Sequence, residues 1–206
     1  MANRSNFFLF GLFLLIAGCG RDSIPANEYA EWITNEGHNL KLTTEMGEYK
    51  ISIQYRPISM IALQESNNDP TSAAYENATR ELSGMHYFTL RLSSAKDNQR
   101  FLDACISSGR EINELINYFS FEMKNDLQII EDGDTISCAL YTFERNYDLT
   151  PHLDFSLAFP AKSKSNEKLF SDIQFIYNDQ KLGTGPVRFS ISAETLSQIP
   201  AISHNN

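Results

Sequence analysis

The pair best suited to acid–base chemistry in this sequence is His152-Leu153-Asp154. Residues i and i+2 of a strand share a face, so the imidazole and the carboxylate point the same way. A carboxylate that orients an imidazole is the base half of a hydrolytic triad. The nucleophile half has no counterpart, because no serine sits in a Gly-x-Ser-x-Gly turn. His38, His86 and His204 do not make the His-Glu-x-x-His spacing that sets two zinc ligands on one helix face. His152 therefore reads as a surface residue at a strand start. Asp132-Gly133-Asp134 has the acids of a calcium loop but neither its spacing nor its later bidentate acid, and Asp-Gly is a strong hairpin turn. Gly183-Thr184-Gly185 lacks the Gly-Lys-Ser/Thr ending of a phosphate loop and precedes a strand pattern, so its glycines read as turn residues. These motifs support no catalytic residue, no metal site and no cofactor. The aromatics Tyr118, Phe119, Phe121, Tyr141, Phe143 and Tyr147, followed by Phe155, Phe159, Phe175, Tyr177 and Phe189, read chiefly as core, where such side chains bury the most area.

The elements that would position these residues follow from periodicity. Residues 27–33 suit a short helix with Asn27 as its cap and Gly37 as its stop. Tyr49, Ile51, Ile53 and Tyr55 alternate with polar residues up to Pro57, as in a half-buried strand, and Leu40-Lys41-Leu42 would pair with them across a turn near Gly47. Helical spacing follows in 58–83, broken at Asn67-Asn68-Asp69-Pro70, with Gly84 ending it. Phe88, Leu90 and Leu92 read as a strand, and 97–118 as a helix broken near Gly109. From Tyr118 the pattern is strand-rich: Phe119, Phe121 and Met123, then Leu127 and Ile129. The Asp132-Gly133 turn leads to a returning arm of Ile136, Cys138 and Leu140. Further strands are expected at 153–159, 173–177 and 187–191. The expected fold is α+β, with antiparallel sheet, a strand-rich C-terminal half and helices packed on one side.

The N-terminus carries a different kind of information. Arg4 lies in a short polar start, followed by the uncharged apolar run Phe7–Ile16. That is the layout of a secretory leader, and the run is shorter than the roughly 20 residues a membrane span needs. Leu15-Ile16-Ala17-Gly18-Cys19 resembles the lipobox of bacterial lipoproteins. The resemblance implies a diacylglyceryl group on the Cys19 thiol, cleavage before Cys19 and acylation of the new amino group. Two or more chains hold a protein on a bilayer where one does not. Gly20 stands where an inner-membrane retention aspartate would be, which implies an outer-membrane address facing the periplasm. The implied organisation is a signal peptide at 1–18, a tether at 19–26, one globular domain at 27–200 and a polar tail at 201–206.

Without residues 1–18 the chain of 206 retains 188, enough for one domain with a real core. Those residues take Arg4 and no acid with them, so the net charge of −9 becomes −10. An acidic body repels phosphate backbones, which excludes nucleic acid as partner, and leaves membrane contact to the lipid. The reading is of a non-enzymatic envelope lipoprotein that binds or scaffolds another envelope protein. The alternatives are an enzyme acting on an envelope polymer and a carrier of an apolar ligand. With Cys19 lipidated, Cys105 and Cys138 are the remaining thiols, both on apolar faces. An oxidising envelope permits a bridge between them, and two separate buried thiols fit equally well.

Overall fold

The computed structural model describes residues 23–144, 150–162 and 170–203. The lipobox with Cys19, and also Tyr147 and His204, lie outside the described residues. A two-residue strand β1 (Ser23–Ile24) leads into helix α1 (Ala26–Thr34). Pro25, at φ −60° and ψ 147°, sets the helix start, so Asn27 falls inside the first turn instead of capping it. Tyr29 and Ile33, four apart on one face, are fully buried. The helix ends at Thr34, and Gly37 belongs to the 3-10 turn Glu36–His38 that follows.

Strands β2 (Lys41–Met46) and β3 (Tyr49–Arg56) form the expected hairpin, with Leu42 opposite Ile53. Pro57 ends β3 and precedes α2 (Ile58–Glu65); α3 (Ala73–Glu81) is capped by the Ser72 hydroxyl, which accepts from Tyr75 N at 3.1 Å. Next come β4 (Met85–Ser94), α4 (Phe101–Ser107) and α5 (Ile112–Asn117).

The stretch after Asn117 departs from the expected strand. Tyr118–Glu122 is a π-helical turn and Met123–Asp126 a 3-10 turn. Phe119 and Met123 are fully buried while Phe121, between them, is 73% exposed. Leu115, Tyr118, Phe119 and Met123 thus share a helical face, and the period-two match was a coincidence of three residues. The hairpin of β5 (Leu127–Glu131) and β6 (Asp134–Ser137) turns at Asp132 (φ 49°) and Gly133 (φ 81°), as Asp-Gly implies. The returning arm is shorter than expected. After Ser137 the chain changes sheet, and β7 (Leu140–Glu144) joins β8 (Leu153–Pro160). Strands β9 (Ile173–Asn178) and β10 (Pro186–Ile191), a short α6 (Ala193–Ser197) and β11 (Ala201–Ile202) complete the body.

The strands make two larger antiparallel sheets, β2-β3-β4-β8-β7 and β10-β9-β5-β6. The α+β class read from the sequence is the one observed. Phe175 of the smaller sheet meets Phe88 and Phe159 of the larger at 5.5 and 6.0 Å between ring centroids. Farther along the same inner face, Phe101 of α4 reaches Tyr49 at 5.6 Å and Phe119 reaches Phe155 at 5.6 Å. The smaller sheet, α4 and the π-helical turn therefore share the covering of one face of the larger sheet.

One further expectation is corrected. The tail does not end as a polar fray at 201: Ala201–Ile202 pairs in parallel with Ser23–Ile24, and Ser203 N donates to Ile24 O at 2.8 Å. Of the two arrangements that the sequence leaves open for Cys105 and Cys138, the structure holds the unbridged one, with both as buried free thiols. Cys105 lies against Tyr49, which registers with Ser94, whereas Cys138 lies against Ala158, which registers with Tyr87. Those positions are at opposite ends of β4, roughly 24 Å apart at about 3.4 Å per residue. A disulfide requires alpha carbons within about 7 Å.

Candidate functional site

The outer face of the five-stranded sheet carries the residues that alternate with its core positions: Lys41 of β2, Gln54 and Arg56 of β3, Thr89 and Arg91 of β4, Asp154 of β8 and Glu144 of β7. Together with Thr34 of α1 and with Met60 and Gln64 of α2, they line a groove of about 360 Å³. At Arg56 it adjoins a second hollow of about 230 Å³, whose lining includes Ile61, Tyr87, Leu140, Thr142 and Ala158. One half of this face is charged and the other apolar. Leu140 is 59% exposed there because the chain changes sheet just before it and turns the side chain outward.

Asp154 is the organising acid. Register places it opposite Arg91, whose Nε and Nη2 donate to its two carboxylate oxygens at 2.7 Å each. This bidentate geometry is the strong form of the contact, and it raises the Arg91 pKa further. The pair predicted with His152 is present, since His152 Nε2 lies 3.4 Å from Asp154 Oδ2. Burial, and then the charge of Arg91, lower the His152 pKa below its ordinary 6.5 against the opposing pull of Asp154. Ser156 donates to Glu144 at 2.7 Å, and Arg56 bonds Gln64. Both carboxylate oxygens of Asp154 accept from Arg91, and the Ser156 hydroxyl donates to Glu144 and not to the imidazole. That arrangement fixes the positions of the charges on this face.

No family model matches the sequence, and no curated protein matches it. Two solved structures are similar to this chain. One is a DUF4426 family protein from Pseudomonas aeruginosa, 8% identical, with 74% of this chain and 91% of that chain covered and a TM-score of 0.34. The other is a protein of unknown function from Burkholderia pseudomallei, 8% identical, with coverage of 86% and 94% and a TM-score of 0.42.

The remaining sequence candidates are structural. His38 stacks on Trp32 at 3.9 Å and meets Trp32 O at 2.7 Å, closing the end of α1. Asp132 holds Ser171 at 2.6 Å beside its turn. The loop with Gly183 and Gly185 is tied by Asp179, which accepts from Lys181 N, Leu182 N and Thr184 N at 2.9, 2.7 and 2.6 Å. Gly183 has φ +78°, and a Cβ there would fall 2.6 Å from Arg110 Nη2. Among the described residues, no three of His, Cys, Asp and Glu stand close enough to share a metal ion.

One buried pair escaped the sequence reading. His86, 6% exposed, places Nε2 3.2 Å from Oε2 of Glu131, which is fully buried. The same oxygen accepts from Lys162 N at 3.1 Å, and the Tyr55 hydroxyl lies 3.4 Å from His86 Nδ1. Burial, and then the charge of Glu131, push the Tyr55 hydroxyl well above its usual range. The pair joins β4 of one sheet to β5 of the other. Its signal was present in the sequence: His86 continues the inward phase of Phe88, Leu90 and Leu92, and Glu131 that of Leu127 and Ile129.

Proposed function

We propose that this chain is a lipid-anchored envelope protein without enzymatic activity, facing the periplasm from the outer membrane, which binds another envelope protein through the groove on its larger sheet. The address rests on Leu15-Ile16-Ala17-Gly18-Cys19, with the lipid on Cys19. Among the described residues no helix is long and apolar enough to cross a membrane, so the proposed membrane attachment rests on that lipid. The binding reading is carried by one observation: a charged surface, already ordered by the Arg91–Asp154 clamp, runs into an apolar one that exposes Leu140 on edge strand β7. Preformed charge beside exposed apolar area is what a protein partner recognises.

A photo-crosslinking residue at Thr142, in the hollow that adjoins the groove, tests this in the native envelope against a control at Arg188, on the smaller sheet. The expected result is a discrete adduct from position 142 alone, abolished when Leu140→Asp is added to the same chain at a normal protein level. Equal adducts from both positions would refute the groove as the binding surface.

A further inference from the structure

Resting on the proposed lipid at Cys19, we infer that the body is held flush against the bilayer, with the end carrying the β1–β11 pair facing the lipid headgroups. The parallel pairing of Ser23–Ile24 with Ala201–Ile202, extended by the Ser203 N to Ile24 O bond at 2.8 Å, fastens the start of the described chain to its far end. Ile202 is 8% exposed and belongs to the core cluster, so the fastening is anchored in the fold. Helix α1 begins at Ala26, which leaves no slack on the other side of the pair. Only Gly20, Arg21 and Asp22 separate Cys19 from Ser23. Fully extended, that interval spans at most about 14 Å. The sequence alone implied a tether reaching to residue 26; the pairing removes its second half.

The body carries a net charge of −10 once residues 1–18 are gone, so anionic headgroups repel it and electrostatics does not bring it down. The short connection does so by itself. Its consequence is a restriction on partners: they must come within the body's own height of the membrane surface, because the groove cannot be carried farther out.

Trypsin reads this directly, because a cut after Arg21 releases the body from the lipid and a protease needs several unfolded residues on each side of its cleavage point. The lipidated full-length protein is placed in vesicles of phosphatidylethanolamine and phosphatidylglycerol and compared with a variant carrying twenty Gly/Ser residues on each side of Arg21. Release of the body is expected to be at least tenfold slower for the natural chain. A natural chain released as fast as the variant would overturn the inference while leaving the anchor intact. As a second measurement, energy transfer from Trp32, the single tryptophan, to a dansyl headgroup should fall in the variant; unchanged transfer would count against the flush position. Absence of fatty-acid label on Cys19 would overturn the anchor, and this inference with it.

Discussion

Replacing Glu131 with alanine should destabilise the protein by about 3–5 kcal/mol, the cost of breaking a buried pair by removing one partner. The carboxylate is fully buried and its Oε2 receives both His86 Nε2, at 3.2 Å, and Lys162 N, at 3.1 Å. Alanine takes that acceptor from two groups at once, in a place where water does not replace it. Glu131→Gln keeps an acceptor oxygen and should cost about half as much or less. Replacing both partners, as His86→Leu with Glu131→Leu, removes the polar atoms together and should recover most of the loss, since apolar replacement of a buried pair is often near neutral. Equilibrium unfolding in urea by circular dichroism measures this. With a slope of about 2 kcal/mol/M, the alanine variant should shift its midpoint down by about 2 M at unchanged slope. A shift under about 0.5 M, or a double variant less stable than Glu131→Ala, would refute the view that the pair is costly to break and not essential to keep.

Three other outcomes follow from the geometry. Gly183→Ala should cost about 1–3 kcal/mol, since it places a side chain at φ +78° and against Arg110; Arg110→Ala in the same chain should relieve part of that, and a neutral Gly183→Ala would contradict the close approach. Denatured, unreduced protein lacking residues 1–19 should show two reactive thiols per chain. In the native state both should react slowly up to high pH, because burial pushes Cys105 up to about 12 and Cys138 to about 11; fewer than two thiols would restore the bridge. His152 has a folded pKa below 6.5, so the unfolded chain takes up its proton first, and stability present above pH 6.5 declines as pH falls. His152→Gln should therefore flatten the loss of stability between pH 7 and pH 5, and the same variant should complement any deletion phenotype; failure of a folded, abundant variant to complement would favour the enzyme reading.

The charged outer face of the larger sheet depends on contacts between residues far apart in the chain. Arg91 and Asp154 are 63 residues apart and meet only because β8 inserts beside β4, ahead of β7 in the sheet although after it in sequence. No local pattern announces that insertion. The alternation of residues 153–159 specifies a strand and its two faces but not its neighbour, and Asp154 becomes 8% exposed through what stands opposite it.

What the sequence by itself determined is local: the β2–β3 hairpin up to Pro57, the broken helices either side of residues 67–70 and Gly109, the Asp132-Gly133 turn, and the alternating faces of β3, β4, β8, β9 and β10. Each follows from backbone sterics and side-chain period over fewer than about ten residues. Where two periods fit the same few residues, as at 118–123, burial against Phe101 and Phe155 decided for the helical one. The tertiary structure alone decided the change of sheet after Ser137, the distance between Cys105 and Cys138, the meeting of His86 with Glu131, and the pairing of Ile24 with Ile202. The pairings among those features join residues from 10 to 178 positions apart, and only the packing of one sheet on the other selects among the pairings that local periodicity leaves equally good.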